Sequence, residues 1–183
     1  MRIISGKAGR TAIKVPAHVT RPTTDFLRQA IFSILGNTVD EASVLDLYAG
    51  SGAIGLEALS RSAASCVFVE QQRQACSVIE QNLAKSCLTG GRVVCKDALK
   101  FIKRDKGSYD LIFADPPYWK HYGDTDHLAD LLEPTAARLK TDGWLIVEAA
   151  AGYTPPSVPG LQLQDRRDYG SSSILLYDSN SSV

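Results

Sequence analysis

Short apolar runs of strand length alternate along the chain with longer stretches whose apolar positions recur every three or four residues. SVLDLY (43–48) precedes IGLEALSRSA (54–63), and CVFVE (66–70) precedes a polar helical stretch that runs to Lys85. RVVC (92–95) precedes ALKFIKR (98–104), and YDLIF (109–113) precedes a stretch around HLADLLEPTAARL (127–139) that leads into GWLIVEA (143–149). Five strands separated by four helices predict parallel β-α units and a doubly wound α/β sheet. The pattern then changes. LQLQDRRDY (161–169) and SSILLYD (172–178) flank Gly170-Ser171 with no helix between them, which predicts an antiparallel hairpin that closes a mostly parallel sheet of seven strands.

Ahead of this core, RIIS (2–5) and AIKV (12–15) read as short β-like pieces. Thr23 to Leu35 reads as an amphipathic helix, with Thr23 or Thr24 as cap, Phe26, Ala30, Ile31 and Ile34 on one face, and Gly36 past its end. A length of 183 residues suits a single domain: a basic extension and helix over 1–36, then a Rossmann-like core over 43–178. The tail DSNSSV reads as a frayed end.

Composition adds little, since 44% hydrophobic and 22% charged residues describe an ordinary globular chain. Charge distribution adds more. The net charge is zero, yet Arg2, Lys7, Arg10, Lys14, Arg21 and Arg28 face a single acid, Asp25, within residues 1–36, so the remainder is acidic. A basic arm on an acidic body suggests contact with an anionic partner such as nucleic acid, or else a solvated arm. The N-terminus lacks a signal-peptide pattern and no run approaches the ~20 apolar residues of a membrane span, so the expected setting is the cytoplasm with no membrane. Cys66, Cys76, Cys87 and Cys95 form no CxxC, and His18, His121 and His127 form no HExxH, so no metal site is expected.

Chemistry enters at the end of the first strand. Asp46-Leu47-Tyr48-Ala49-Gly50-Ser51-Gly52-Ala53-Ile54-Gly55 carries a GxGxxG between a strand and a helix, and Glu70 ends the second strand 20 residues after Gly50. Glycines there let the backbone lie against a ligand, and the acid can accept hydrogen bonds from ribose hydroxyls. A dinucleotide and S-adenosylmethionine both fit that pattern. Asp46 favours the second, because a carboxylate at the loop mouth repels a pyrophosphate but attracts an ammonium and a sulfonium. Asp97 reads as an adenine contact, as an N-cap for ALKFIKR, or as both.

The fourth strand ends in Ala114-Asp115-Pro116-Pro117-Tyr118. Asp115 and the Pro116 carbonyl form two converging acceptors on a stiff loop, matched to the two N–H donors of an exocyclic amine. Such an amine is a poor nucleophile, so holding both N–H bonds out of the ring plane aims its lone pair at a methyl donor. Tyr118 offers a stacking face.

DLYAGSGAIGLEALSR with DPPY resembles class I S-adenosylmethionine-dependent methyltransferases that modify exocyclic amines. RIISGKAGR, RPTTDFLRQAIFSIL and the terminal YGSSSILLY, in that order, narrow the resemblance to the RsmD family, which methylates a guanine N2 in small-subunit (16S) ribosomal RNA. The resemblance implies a seven-stranded sheet whose last strand is antiparallel. It implies that Asp46, Gly50, Gly52, Glu70 and Asp97 line the cofactor, with Tyr48, Ala49, Ser51, Gln71, Ala98 and Thr23 completing that shell. Asp115 to Tyr118 are expected to hold the guanine amino group, the segment Arg21 to Asp25 to close over the site, and Lys7, Arg10, Arg21 and Arg28 to meet RNA phosphate. The expected partner is 16S ribosomal RNA in an assembled or assembling small subunit, bound by a monomer. Two other classes stay open: the same chemistry on DNA adenine N6 or a protein glutamine, and a non-catalytic RNA-binding module on this fold.

Overall fold

A computed structural model describes residues 1–16, 24–116 and 126–179. The strands are β1 (Ser43–Leu47), β2 (Ser65–Glu70), β3 (Gly91–Cys95), β4 (Tyr109–Ala114), β5 (Leu139–Ala150), β6 (Leu161–Tyr169) and β7 (Ser172–Ser179). They form one sheet in the order β3-β2-β1-β4-β5-β7-β6, with β7 antiparallel to both neighbours and the remaining pairs parallel. The seven-stranded α/β architecture and its closing hairpin are as the pattern predicts.

Helices α1 (Asp25–Leu35), α2 (Ala53–Ser60) and α3 (Arg73–Lys85) cover one face of the sheet, and α4 (Ala98–Ile102) and α5 (His127–Ala136) cover the other. Ile31, Phe32, Leu56, Phe68, Ile79 and Phe113 fill the first layer; Leu45, Leu47, Ile102, Ile112, Leu131 and Leu145 fill the second. Burial of each such side chain stabilises by about 2 kcal/mol. The third glycine of the loop, Gly55, serves this packing, because a Cβ there would lie 2.3 Å from the Phe68 ring and 2.6 Å from Cys66 Sγ.

Three expectations shift. The RIIS and AIKV pieces are joined by an isolated bridge, Arg2 to Ala12, not by paired strands. Helix α1 is capped by Thr24, whose Oγ1 accepts from the Leu27 N–H at 3.2 Å, but it buries Leu27, Arg28, Ile31, Phe32 and Leu35. Phe26 is 66% exposed and meets the Tyr169 ring edge-on instead of joining the core. Finally, β5 begins at Leu139, where helix was expected, because Leu139 pairs with Tyr109 ahead of an irregularity that restores register at Leu111 and Trp144.

The N-terminal segment is fastened to the body through its backbone. The fully buried Glu57 carboxylate accepts from the N–H groups of Ile4 (2.6 Å) and Ser5 (3.0 Å) and from Arg61 Nε (2.7 Å). A buried charge is tolerable only when its oxygens are occupied in this way. Asn82, also fully buried, grips Lys14 through both its N–H (2.8 Å) and its carbonyl (2.9 Å) while donating to the Ser51 carbonyl at 3.1 Å.

Candidate functional site

Register fixes which side chains meet at the carboxyl edge of the sheet. Leu47 of β1 pairs with Ala114 of β4, and Ala114 pairs with Val147 of β5. The next residues, Tyr48, Asp115 and Glu148, therefore stand in a row across three adjacent strands. Strand order reverses its direction of growth at β1 and β4, which is where ligands of open α/β sheets bind.

A cleft opens there, lined by Asp46, Tyr48, Ala49, Gly50 and Ser51 from the loop side and by Asp115 and Glu148 opposite, with Ile31 of α1 over it. The loop turns through left-handed backbone at Tyr48 (φ 61°), Gly50 (φ 54°) and Gly52 (φ 76°). Only glycine adopts that region without strain, so the tyrosine marks a site where backbone cost is tolerated for position. Burial, with the Asp97 and Asp130 charges behind it, pushes the Tyr48 phenol up to about 12.

Asp46 is 4% exposed, and its Oδ2 accepts from the Gly55 N–H at 3.0 Å in the first turn of α2. Burial, opposed by that hydrogen bond and reinforced by the Glu70 carboxylate, pushes Asp46 up to about 7. Such a group is poised for a cation: a positive charge placed beside it restores the carboxylate. Glu70 holds the loop from the other side, accepting from the N–H groups of Gly50 (2.9 Å) and Gln72 (2.8 Å). Asp97 caps α4 by accepting from the Lys100 N–H at 2.8 Å, which leaves its second carboxylate oxygen for a ligand.

The structure thus brings Asp46, Tyr48, Ala49, Gly50, Ser51 and Asp115 together in one cleft. Gly52 lies beneath the loop against Ile79, and Glu70, Gln71, Asp97 and Ala98 follow β2 and β3 outside the cleft lining. Pro116 lines a second cavity, one that shares Glu148 with the cleft. Thr23, Arg21, Pro117 and Tyr118 lie outside the described residues. Lys7 and Arg10 are exposed. Arg28 departs from expectation: it is fully buried, and its Nη2 donates to the Arg2 carbonyl at 2.6 Å and to Asp25 Oδ1 at 3.0 Å. It braces the extension against α1, and burial lowers its pKa, so it is not a surface phosphate contact.

Glu148 and Ile31 were not anticipated. The signal for Glu148 was a single acid at the carboxyl end of the otherwise apolar run GWLIVEA. Among the described residues, no group of three acids, histidines or cysteines is arranged to hold a metal, and no helix is long and apolar enough to cross a membrane.

Comparison with known proteins agrees with this geometry. A family model described as conserved hypothetical protein 95 matches residues 1–178. The ribosomal RNA small subunit methyltransferase D of Escherichia coli is 37% identical over 150 residues, covering 81% of this chain and 71% of that protein. YlbH of Bacillus subtilis, named provisionally as an rRNA methyltransferase, is 35% identical over 184 residues, covering 97% of this chain and 98% of its own length. A solved Escherichia coli chain, yhhF, named provisionally as a methyltransferase, superposes with a TM-score of 0.86 at 32% identity, covering 98% and 97% of the two chains.

Proposed function

We propose, for a chain that belongs to the RsmD family, that it is an S-adenosylmethionine-dependent methyltransferase of small-subunit ribosomal RNA, acting on a guanine N2 in the cytoplasm. The observation that carries this reading is the placement of Asp115 beside Tyr48, across the same cleft as the poised Asp46. Family membership supports rRNA as the substrate class, and the acidic lining supports the cofactor.

When bound, S-adenosylmethionine supplies an electrophilic methyl on a sulfonium sulfur. Asp46 would face its ammonium and sulfonium charges, Glu70 its ribose hydroxyls, and Tyr48 and Asp97 its adenine side. On the acceptor side, Asp115 and the Pro116 carbonyl each take an N–H of the amino group. The nitrogen lone pair is thereby directed into the cleft; as the N–C bond forms, the bond from the methyl to sulfur would break with its electron pair left on the sulfur, and the methylated nitrogen would then lose its extra proton to water. This is positioning plus electrostatics, with Asp115 stabilising the positive charge that develops on nitrogen. Stacking falls to Tyr118 on sequence grounds alone.

The test is transfer of labelled methyl from S-adenosylmethionine to small subunits that lack the modification, beside DNA and protein acceptors, with Asp115→Ala as the blank. Label recovered as N2-methylguanine in the RNA is the expected result. Label in DNA adenine or protein glutamine would keep the chemistry and overturn the acceptor. Cofactor binding with no transfer to these acceptors would send the search to other acceptors, and failure to bind S-adenosylmethionine in calorimetry would favour a non-catalytic module.

A further inference from the structure

Glu148 has no part in the mechanism above, yet it stands beside Asp115, near the carboxyl end of the neighbouring strand β5. It is 8% exposed, and the Ser172 hydroxyl donates to its Oε1 at 3.0 Å, so its orientation is held by the protein. Glu148 lines the cleft and also a second cavity, on whose wall Pro116 sits. Along the chain from Glu148 that wall continues through the small residues Ala149, Ala150, Ala151 and Gly152 to Tyr153, and His127 and Leu128 of α5 also line it. The two cavities therefore share one acid, next to the residues assigned to the amino group.

Resting on the guanine reading above, we infer that Glu148 is the specificity-determining residue that selects guanine by accepting its N1–H while Asp115 holds the adjacent N2 amino group. On guanine the ring position beside the amino group is a donor. On adenine and on 2-aminopurine the corresponding N1 is a lone pair. A carboxylate only accepts, so it complements the first and repels the others. The effect is strengthened by burial, which denies an unmatched base atom any water to bond instead. The poised Asp46 lies two strands away, on β1, and serves the cofactor; Glu148 on β5 serves the base.

The experiment uses small subunits in which the target guanine, once mapped by N2-methylguanine formation, is either retained or replaced by 2-aminopurine, which keeps the amino group and lacks the N1–H. The unaltered protein should prefer guanine by ~5- to 150-fold, the factor equivalent to one well-matched polar contact to a base edge. Glu148→Gln, whose amide can donate to a lone pair, should lose most of that preference while binding S-adenosylmethionine with unchanged affinity and melting at the same temperature. Ser172→Ala, which removes the hydrogen bond to Glu148 Oε1 without touching the base, should relax the preference to a lesser degree. A Glu148→Gln protein that keeps the original ratio would overturn the inference. So would a loss of cofactor affinity in step with activity, since Glu148 would then belong to the cofactor. Failure of the unaltered protein to methylate any guanine would overturn the functional reading itself, and this inference with it.

Discussion

Replacing Asp46 by Asn isolates the charge on which cofactor binding is argued to depend. Burial, less the effect of the Gly55 N–H and with the Glu70 carboxylate adding to it, moves this acid from 3.8 to about 7. A change of that size means that ionised Asp46 costs the folded chain on the order of 4 kcal/mol. The sign follows from which state holds the proton. Between pH ~4 and ~7 the folded chain binds it and the unfolded chain does not, so stability falls as pH rises through that window. Asparagine carries no charge and retains an acceptor for the Gly55 N–H. Urea unfolding at a series of pH values should therefore show Asp46→Asn gaining on the unaltered protein by ~1.4 kcal/mol per pH unit up to about pH 7 and holding level above it. Calorimetry tests the same residue from the ligand side. At pH 6 about nine-tenths of an acid with a pKa of about 7 is protonated, and a cation beside it expels the proton. Titrations in buffers of different ionisation enthalpy should show close to one proton released on cofactor binding by the unaltered protein, and none by Asp46→Asn, which should also bind more weakly. Parallel stability curves for the two proteins, or equal proton release, would refute the assignment.

Other perturbations test other parts of the site. Asp115→Asn should lower the rate of methyl transfer by roughly 100-fold or more, as loss of a transition-state electrostatic contact does, while leaving the cofactor dissociation constant unchanged in calorimetry. Gly55→Ala forces a methyl to within 2.3 Å of the Phe68 ring and should cost ~1–3 kcal/mol in thermal or urea unfolding. Asn82→Ala removes the bonds to Lys14 and to the Ser51 carbonyl; with a buried partner left unpaired, ~1–3 kcal/mol of stability should go, and cofactor affinity with it. A near-neutral chain should also methylate a partly assembled subunit faster than naked RNA at matched salt, and equal rates would contradict that preference.

The strands and most helices were legible because their signals are local: the alternation of apolar runs, the glycine loop and the Asp97 and Thr24 caps each occupy a few neighbouring residues. What was not legible depends on partners far along the chain. Nothing near Glu57 announces that it receives the N–H groups of Ile4 and Ser5, more than 50 positions earlier. The face of helix α1 was read only in part: Ile31 is buried and Ile34 packs on the core, but Arg28 counts as polar in any periodicity, although the fold buries it against Arg2 and Asp25. Phe26 counts as apolar, although the hairpin offers it only the edge of Tyr169. Glu148 needed register: until β4 and β5 are paired, an acid at the end of GWLIVEA has no neighbour, and once they are paired it stands next to Asp115.

Three carboxylates, Asp46, Asp115 and Glu148, face a cleft argued to receive a base from a polyanion, and a polyanion does not approach acids without compensation. On the proposed reading the cofactor would bring two positive centres to Asp46, and exposed Lys7, Arg10 and Lys14 of the N-terminal segment would add positive charge outside the cleft. That segment is not a reaching arm, because Asn82 ties Lys14 to the Ser51 carbonyl of the glycine loop and Glu57 and Ser60 hold the backbone from Ile4 to Ala8. Screening limits the useful range of such charges to ~8 Å at physiological salt, so position matters more than number. A flexible arm would also lose ~1–2 kcal/mol of backbone entropy per residue on ordering against RNA. Here that cost is met during folding, by Glu57 and Ser60 of α2 and by Asn82 of α3, which also holds the Ser51 carbonyl, so the exposed basic residues and the glycine loop keep one geometry.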